Sequence, residues 1–257
     1  MKFSTFSLRL LALIYILGAG HSMLCAQKEI LPFQYADDLT LEEFVVPEGV
    51  DKIGDYAFLG CENLKRLQLP SSLKEIGEGA FRECTSLESL VIPDGVTTIP
   101  QYMCAWDKSL KSVTLPSSVT DIQRHAFAYC NDLESINLPN GLQHIGSNVF
   151  SECRNLTVVE VPDSMNELES YAFSNCKNLR RVVLPANDKM LGELLFIGCD
   201  NLEEIVCLSP VPPIFDCESP LFDPLESEMY DKCRLIIPAD KEELYRNAPV
   251  WKLFYRN

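Results

Sequence analysis

The chain has 257 residues, of which 37 are acidic and 22 basic, giving a net charge of −15, and 47% are hydrophobic. That much apolar material builds a core and excludes a disordered chain. So acidic a surface repels phosphate backbones and anionic headgroups, which argues against nucleic acid and peripheral membrane binding.

In chain order, residues 1–26 read as a signal peptide. Lys2 and Arg9 form a basic start, LLALIYIL an apolar stretch too short to span a bilayer, and Leu24-Cys25-Ala26 a cleavage site. The leader carries two of the basic residues and none of the acidic ones, so its removal leaves a still more acidic protein. A second reading makes Ser22-Met23-Leu24-Cys25 a lipobox that leaves Cys25 lipidated, although leucine before the cysteine fits that peptidase poorly. Either way the chain is expected to be exported, secreted or held at the outer surface. No later stretch is long enough for a transmembrane helix. Residues 27–40 carry Ile30, Leu31, Phe33 and Tyr35 and are expected to lid the first coil as an N-terminal cap.

From Leu41 a unit of 23 residues repeats seven times without insertion, starting at Leu41, Leu64, Leu87, Leu110, Leu133, Leu156 and Leu179. A period of this kind marks a solenoid, since one coil cannot bury its apolar face alone but stacked coils can. We number the slots of the unit 1 to 23. Apolar residues at slots 4 and 6 alternate with solvent-facing ones and predict a short strand that stops at a proline in slot 7, from Pro47 to Pro185. Slots 10 and 13 give a second inward stretch. Gly54, Gly77, Gly146 and Gly192 in slot 14 then suggest a sharp corner. Ala-Phe-x-x-Cys at slots 17 to 21 has helical spacing and predicts one helical or 3₁₀ turn on the far side. Residues 202–257 hold a divergent last repeat and a C-terminal cap. There LIIP (235–238) replays the strand-then-proline ending, and the 239–254 stretch reads as a short amphipathic helix closing on Trp251 and Phe254.

The pattern L-x-x-L-x-L-P…I-G-x-x-A-F-x-x-C over residues 41–201 resembles the leucine-rich-repeat superfamily, and within it the BspA-like, Treponema-type branch. SPVPPIF and CRLIIPADKEELYRNAPVWKLF resemble the family's closing segment. The resemblance implies an α/β leucine-rich-repeat solenoid, right-handed, with seven coils of short parallel strands capped at both ends. It also implies an exported or surface bacterial protein, several relatives of which adhere to host matrix.

Cysteine is frequent, with 11 residues. Cys61, Cys84, Cys130, Cys153, Cys176 and Cys199 recur once per coil in slot 21 and therefore point the same way from successive layers, forming a column of thiols. Their spacing matches neither a zinc site nor a C-x-x-C redox pair, so no metal and no cofactor are expected. Parallel Cβ atoms about 5 Å apart exceed the ~3.8 Å that a disulfide needs, so buried free thiols are favoured. A disulfide among Cys207, Cys217 and Cys233 stays open. The third repeat departs from the pattern: Cys104 takes the Phe slot, Asp107 the Cys slot and Pro100 the Gly slot.

The histidines show no catalytic context. His125 and His144 fall at slots 16 and 12, both expected at the surface, and no G-x-S-x-G or phosphate loop accompanies them. The expectation is a non-enzymatic binding protein. Its outward strand slots 3 and 5 mix Glu43, Arg66, Ser89, Ser112, Ser135, Val158 and Arg181 with Val45, Gln68, Val91, Thr114, Asn137, Glu160 and Val183. Arg66 and Arg181 are candidate ligand contacts there. Trp106 and Tyr129 share slot 20 in consecutive coils and form a second candidate, an aromatic edge for a glycan or protein, or simply local repacking around the odd repeat. The partner expected is a protein, including host extracellular matrix, with glycan binding or a structural envelope role as alternatives. The sequence leaves the oligomeric state open.

Overall fold

A computed structural model describes residues 28–215, 221–222 and 228–255. The leader with Cys25, and Cys217 in the tail, lie outside the described residues. The chain forms a continuous parallel β-solenoid in which the strand residues of the repeats pair with those 23 positions on, as in Glu43↔Arg66, Ser89↔Ser112 and Val158↔Arg181.

Two faces run along the stack. The first collects Glu43–Val45, Arg66–Gln68, Ser89–Val91, Ser112–Thr114, Ser135–Ile136, Val158–Glu160, Arg181–Leu184, Glu204–Cys207 and Arg234–Ile236. Arg66–Gln68 is typical: its central Leu67 is buried and its flanks are exposed, as strand alternation requires. From Pro47 to Pro162 the slot-7 proline follows the strand and its carbonyl accepts a turn-closing bond three residues on, such as Leu73 N to Pro70 O at 3.2 Å. The second face begins with Glu29–Ile30 and Lys52–Ile53 and runs to His144–Ile145 and Glu167–Leu168. Single bridges at Leu191 and Phe215 extend it.

The far side holds the main departure from expectation. The i→i+3 bonds of a 3₁₀ turn are present, for instance Ala57 N to Gly54 O and Cys61 N to Phe58 O, but the chain does not follow a helix. Slots 16 and 20 take left-handed backbone in coil after coil: Tyr56, Tyr102, His125 and Tyr171 at φ 54° to 60°, Asp37, Glu83, Trp106, Tyr129 and Glu152 at 58° to 68°. Each such residue redirects its neighbours, so alternate N–H groups point along the stack instead of back into the turn. Tyr56 N donates to Glu78 O, Phe58 N to Ala80 O and Gly60 N to Arg82 O, at 2.7 to 2.9 Å. The turn side is thereby hydrogen-bonded between coils too, leaving few backbone donors orphaned. Left-handed backbone favours Gly and Asn, and Gly60, Gly79, Gly198, Asn148 and Asn175 carry that signal in the sequence.

The slot-14 glycines do not make a left-handed corner. They are needed because the coils approach closely: a Cβ on Gly77 would lie 2.5 Å from Asp55 N, and one on Gly146 2.6 Å from Arg124 N.

Inside the stack, like residues meet like. Phe127, Phe150, Phe173 and Phe196 are fully buried, with ring centroids 5.5 to 5.9 Å apart and planes within 17°. The third coil places Met103 and Cys104 where its neighbours place Ala and Phe. All four side-chain types are buried, so the large and small residues have exchanged slots and the pair's volume is roughly kept. At the amino end, residues 28–40 form the second half of a further coil. Glu29–Ile30 pairs with Lys52–Ile53, and Tyr35 stacks on Phe58 at 5.0 Å in the Phe slot. At the carboxyl end the offset lengthens to 30 residues between Glu204 and Arg234. The single amphipathic helix expected there is two, α2 (Glu242–Asn247) and a 3₁₀ helix (Trp251–Tyr255), preceded by the short α1 (Met229–Lys232). Pro249 interrupts the helical path. Trp251, fully buried, donates to Pro213 O at 2.8 Å, which ties the closing segment to the stack.

Candidate functional site

The first face is built from slots 3 and 5, whose side chains the strand pleat turns outward. Its two ends are charged and internally paired. Near the amino end Arg66 reaches Glu43 at 2.8 Å. Near the carboxyl end Arg181 lies between Glu204 at 2.8 Å and Glu160 at 3.4 Å, and Arg234 pairs with Glu204. Arg66 and Arg181 are thus five coils apart, each matched by a carboxylate of an adjacent coil, and the structure does not bring them together. Between them lies an uncharged stretch of Ser89, Ser112, Ser135, Val91, Thr114 and Asn137, with Val91 62% exposed.

Trp106 and Tyr129 are brought together. Their rings stack at 5.1 Å and 7°, and Tyr102 and His125 stack beside them at 5.0 Å. The Arg82 guanidinium of the preceding coil lies 4.6 Å from the Trp106 centroid. Trp106 is therefore covered by Arg82 from one neighbouring coil and by Tyr129 from the other. It offers a ligand its ring edge, whereas sugar stacking needs an open ring face.

The slot-21 thiols are buried and free, and each donates to the slot-18 carbonyl of the preceding coil. Cys84 bonds to Phe58 O, Cys153 to Phe127 O and Cys176 to Phe150 O, at 3.1 to 3.2 Å. Burial pushes the Cys61 thiol up to about 12 and the others upward as well, which suppresses the reactive thiolate. Cys207 and Cys233, considered for a disulfide with Cys217, are buried free thiols. Asp107 interrupts the column. It is fully buried, its Oδ1 accepts from Cys84 N at 2.8 Å, and its Oδ2 has no hydrogen-bond partner. Burial raises its pKa far above the usual carboxylate range, with Glu83 adding to the effect. The sequence signal for this enclosed acid is its place in slot 21, where the other coils carry buried thiols.

A third cluster went unrecognised in the sequence: Asp121, His144 and Glu167 share slot 12 in consecutive coils, but Glu169 joins them from slot 14. His144 is not a free surface histidine: Nδ1 lies 2.6 Å from Asp121 Oδ1, and Nε2 lies 2.9 Å from Glu169 Oε1. Partial burial pulls the His144 pKa down, but its hydrogen bonds to Asp121 and Glu169 outweigh this and hold it above its ordinary value. Glu169 Oε2 in turn accepts from Ser147 N at 2.9 Å and from Ser147 Oγ. Among the described residues, His144, Glu167 and Glu169 form a set whose ligand atoms lie within 4.8 Å of one another.

The comparisons with known proteins agree with this architecture. The family model of the BspA type leucine rich repeat region matches residues 28–131 and 97–216, in six copies. A leucine rich repeat protein of T. pallidum is 31% identical, with 73% of this chain and 77% of that chain covered and a TM-score of 0.50. A leucine rich cell surface protein from Faecalibacterium prausnitzii is 26% identical over 71% of this chain, with a TM-score of 0.52. The present chain spans 65% of that protein. The pneumococcal vaccine antigen PcpA shares the fold at 17% identity and a TM-score of 0.50, over 83% of this chain and 78% of that one. No curated protein matches the chain. No helix among the described residues is long and apolar enough to cross a membrane. With the 23-residue coil, the far-side turns and the thiol column all in place, the chain belongs to the BspA-type leucine-rich-repeat family.

Proposed function

We propose that this is an exported, non-enzymatic binding protein that recognises a protein partner, a host matrix component among them, through the outward face of its first sheet. The observation that carries this reading is the uncharged stretch around Ser112 and Thr114, bounded at both ends by arginines already matched with carboxylates. A partner docking there desolvates few unpaired charges, which keeps the cost of burial low. The charged ends form a polar rim that opposes misplaced docking more than it adds affinity. The F. prausnitzii relative is described as a cell surface protein, and the basic-then-apolar start of the present chain has the pattern of an export leader, which supports the reading. The aromatic edge supports a glycan reading less well, because Trp106 is covered by Arg82 and Tyr129.

The test is binding of the purified chain to immobilised matrix proteins, measured by biolayer interferometry. Ser112→Arg places a bulky charge at the centre of the face and should weaken binding at least tenfold. Lys74→Glu, exposed elsewhere on the coil, should leave it unchanged. Equal loss in both variants, or no saturable binding by the unaltered chain, refutes the assignment.

A further inference from the structure

We propose that His144, Glu167 and Glu169 form a binding site for a divalent transition-metal ion of the zinc class, at the second face and away from the proposed protein-binding surface. His144 and Glu167 are direct partners in the strand ladder, and Glu169 follows just past the end of that strand, with its Oε1 2.9 Å from His144 Nε2. One imidazole and two carboxylates thus converge, with their ligand atoms within 4.8 Å of one another.

Three independent features favour a metal over a simple hydrogen-bonded cluster. The first is orientation. Asp121 holds His144 Nδ1 at 2.6 Å, which leaves Nε2 aimed at Glu169. A carboxylate behind the distal nitrogen fixes the ring and makes the other nitrogen a better donor, as outer partners of metal-ligating histidines do. The Nε2 to Oε1 separation of 2.9 Å lies close to the ~3.3 Å between two ligands around a tetrahedral zinc with bonds near 2.0 Å, so little movement is needed.

The second is the position of Glu169. It occupies slot 14, where Gly54, Gly77, Gly146 and Gly192 stand in other coils and where an added Cβ would lie 2.2 to 2.6 Å from the preceding coil. A glutamate is accommodated here, and Ser147 ties down its second oxygen. The first oxygen is therefore presented to His144 from a constrained side chain.

The third is charge. On the first face Arg and Lys neutralise the carboxylates, but no Lys or Arg among the described residues forms an ion pair with Asp121, Glu167 or Glu169. Three carboxylates around one imidazole leave net negative charge even when the ring is protonated, and a dication offsets it. The imidazole selects zinc-class ions over calcium or magnesium, which prefer all-oxygen shells. A groove of about 270 Å³, lined by Ser147, Glu167, Glu169, Ser170 and Met190 though not by His144, opens beside the two carboxylates and gives water access to them.

The test is isothermal titration of the chelator-treated, untagged full chain with zinc chloride. One saturable site per chain is expected, with calcium and magnesium failing to compete. Glu167→Gln changes the most exposed ligand with the least risk to folding and should weaken zinc at least tenfold, as should His144→Ala. Asp121→Asn, which removes the buttress, should weaken it about 10- to 100-fold. Circular dichroism confirms that each variant keeps the fold. Absence of saturable zinc binding, or binding that persists undiminished in folded Glu167→Gln and His144→Ala, overturns the proposal. Protein ligand binding by the first face is scored separately, so the two assignments fail independently.

Discussion

Replacing Asp107 tests the internal logic of the stack most directly. In the folded chain this carboxyl is fully buried with one oxygen unpartnered, and burial raises its pKa well above the usual range. In the unfolded chain it titrates near 3.9. The sign comes from proton counting. Above about pH 3.9 the unfolded chain releases this proton while the folded chain keeps it, so the group's contribution to stability falls as pH rises, until the folded carboxyl itself ionises. One proton of difference is worth about 1.4 kcal/mol per pH unit. Asp107→Asn keeps an acceptor for Cys84 N and cannot ionise. Its stability advantage over the unaltered chain should therefore widen by about 2 kcal/mol between pH 4.5 and pH 6. Asp107→Cys, which restores the thiol of the other coils, should behave alike. Urea unfolding at matched pH values gives the differences directly, and taking them between variants cancels the titration of every other carboxylate. A gap that stays constant from pH 4.5 to 6 would refute the reasoning, because it would mean that Asp107 is ionised in the folded protein.

The packing sets further outcomes. Gly146→Ala should cost about 1–3 kcal/mol, since its Cβ meets Arg124 N at 2.6 Å, whereas Gly141→Ala, with nothing nearer than Ser117 O at 3.6 Å, should be neutral or stabilise by up to about 1 kcal/mol in the same unfolding assay. Phe173→Ala, fully buried between two stacked rings, should lose about 3–5 kcal/mol, while Phe33→Ala, 57% exposed and stacked only on Tyr56, should lose no more than about 1.5 kcal/mol. With a thiol-specific chromogenic reagent at pH 8, the nine described cysteines, all buried, should stay unreactive in the native protein and react in urea, leaving at most Cys217, and Cys25 where the leader is retained, to react without denaturant. Rapid native modification of more than two thiols would show that the column opens to solvent.

Much of this was legible in the repeat. The inward slots 4, 6, 10 and 13, the strand-ending prolines and the buried Phe and Cys columns emerge from aligning the seven units, because an apolar residue that recurs every coil has no other place to go. The far-side backbone was less legible. Phe-x-x-Cys spacing suits a helical turn, and the competing signal, Gly and Asn at slots 16 and 20, is obscured where Tyr, Trp or His takes the same left-handed conformation. The aromatic edge illustrates the same limit. Shared slots predicted that Trp106 and Tyr129 would be neighbours, but not that Arg82, one slot away in the preceding coil, would cover the indole.

The amino-acid sequence by itself determined that the chain winds into coils of 23 residues and which side chains form each column, since periodic burial needs only the spacing of apolar residues. Contacts between different columns were decided by the tertiary structure alone. The slot-21 thiols reach slot-18 carbonyls 26 residues back, and Glu169 reaches His144 across 25. These offsets depend on how each side chain leans along the stack, and that lean is set by left-handed turns and close coil-to-coil approach rather than by the repeat itself.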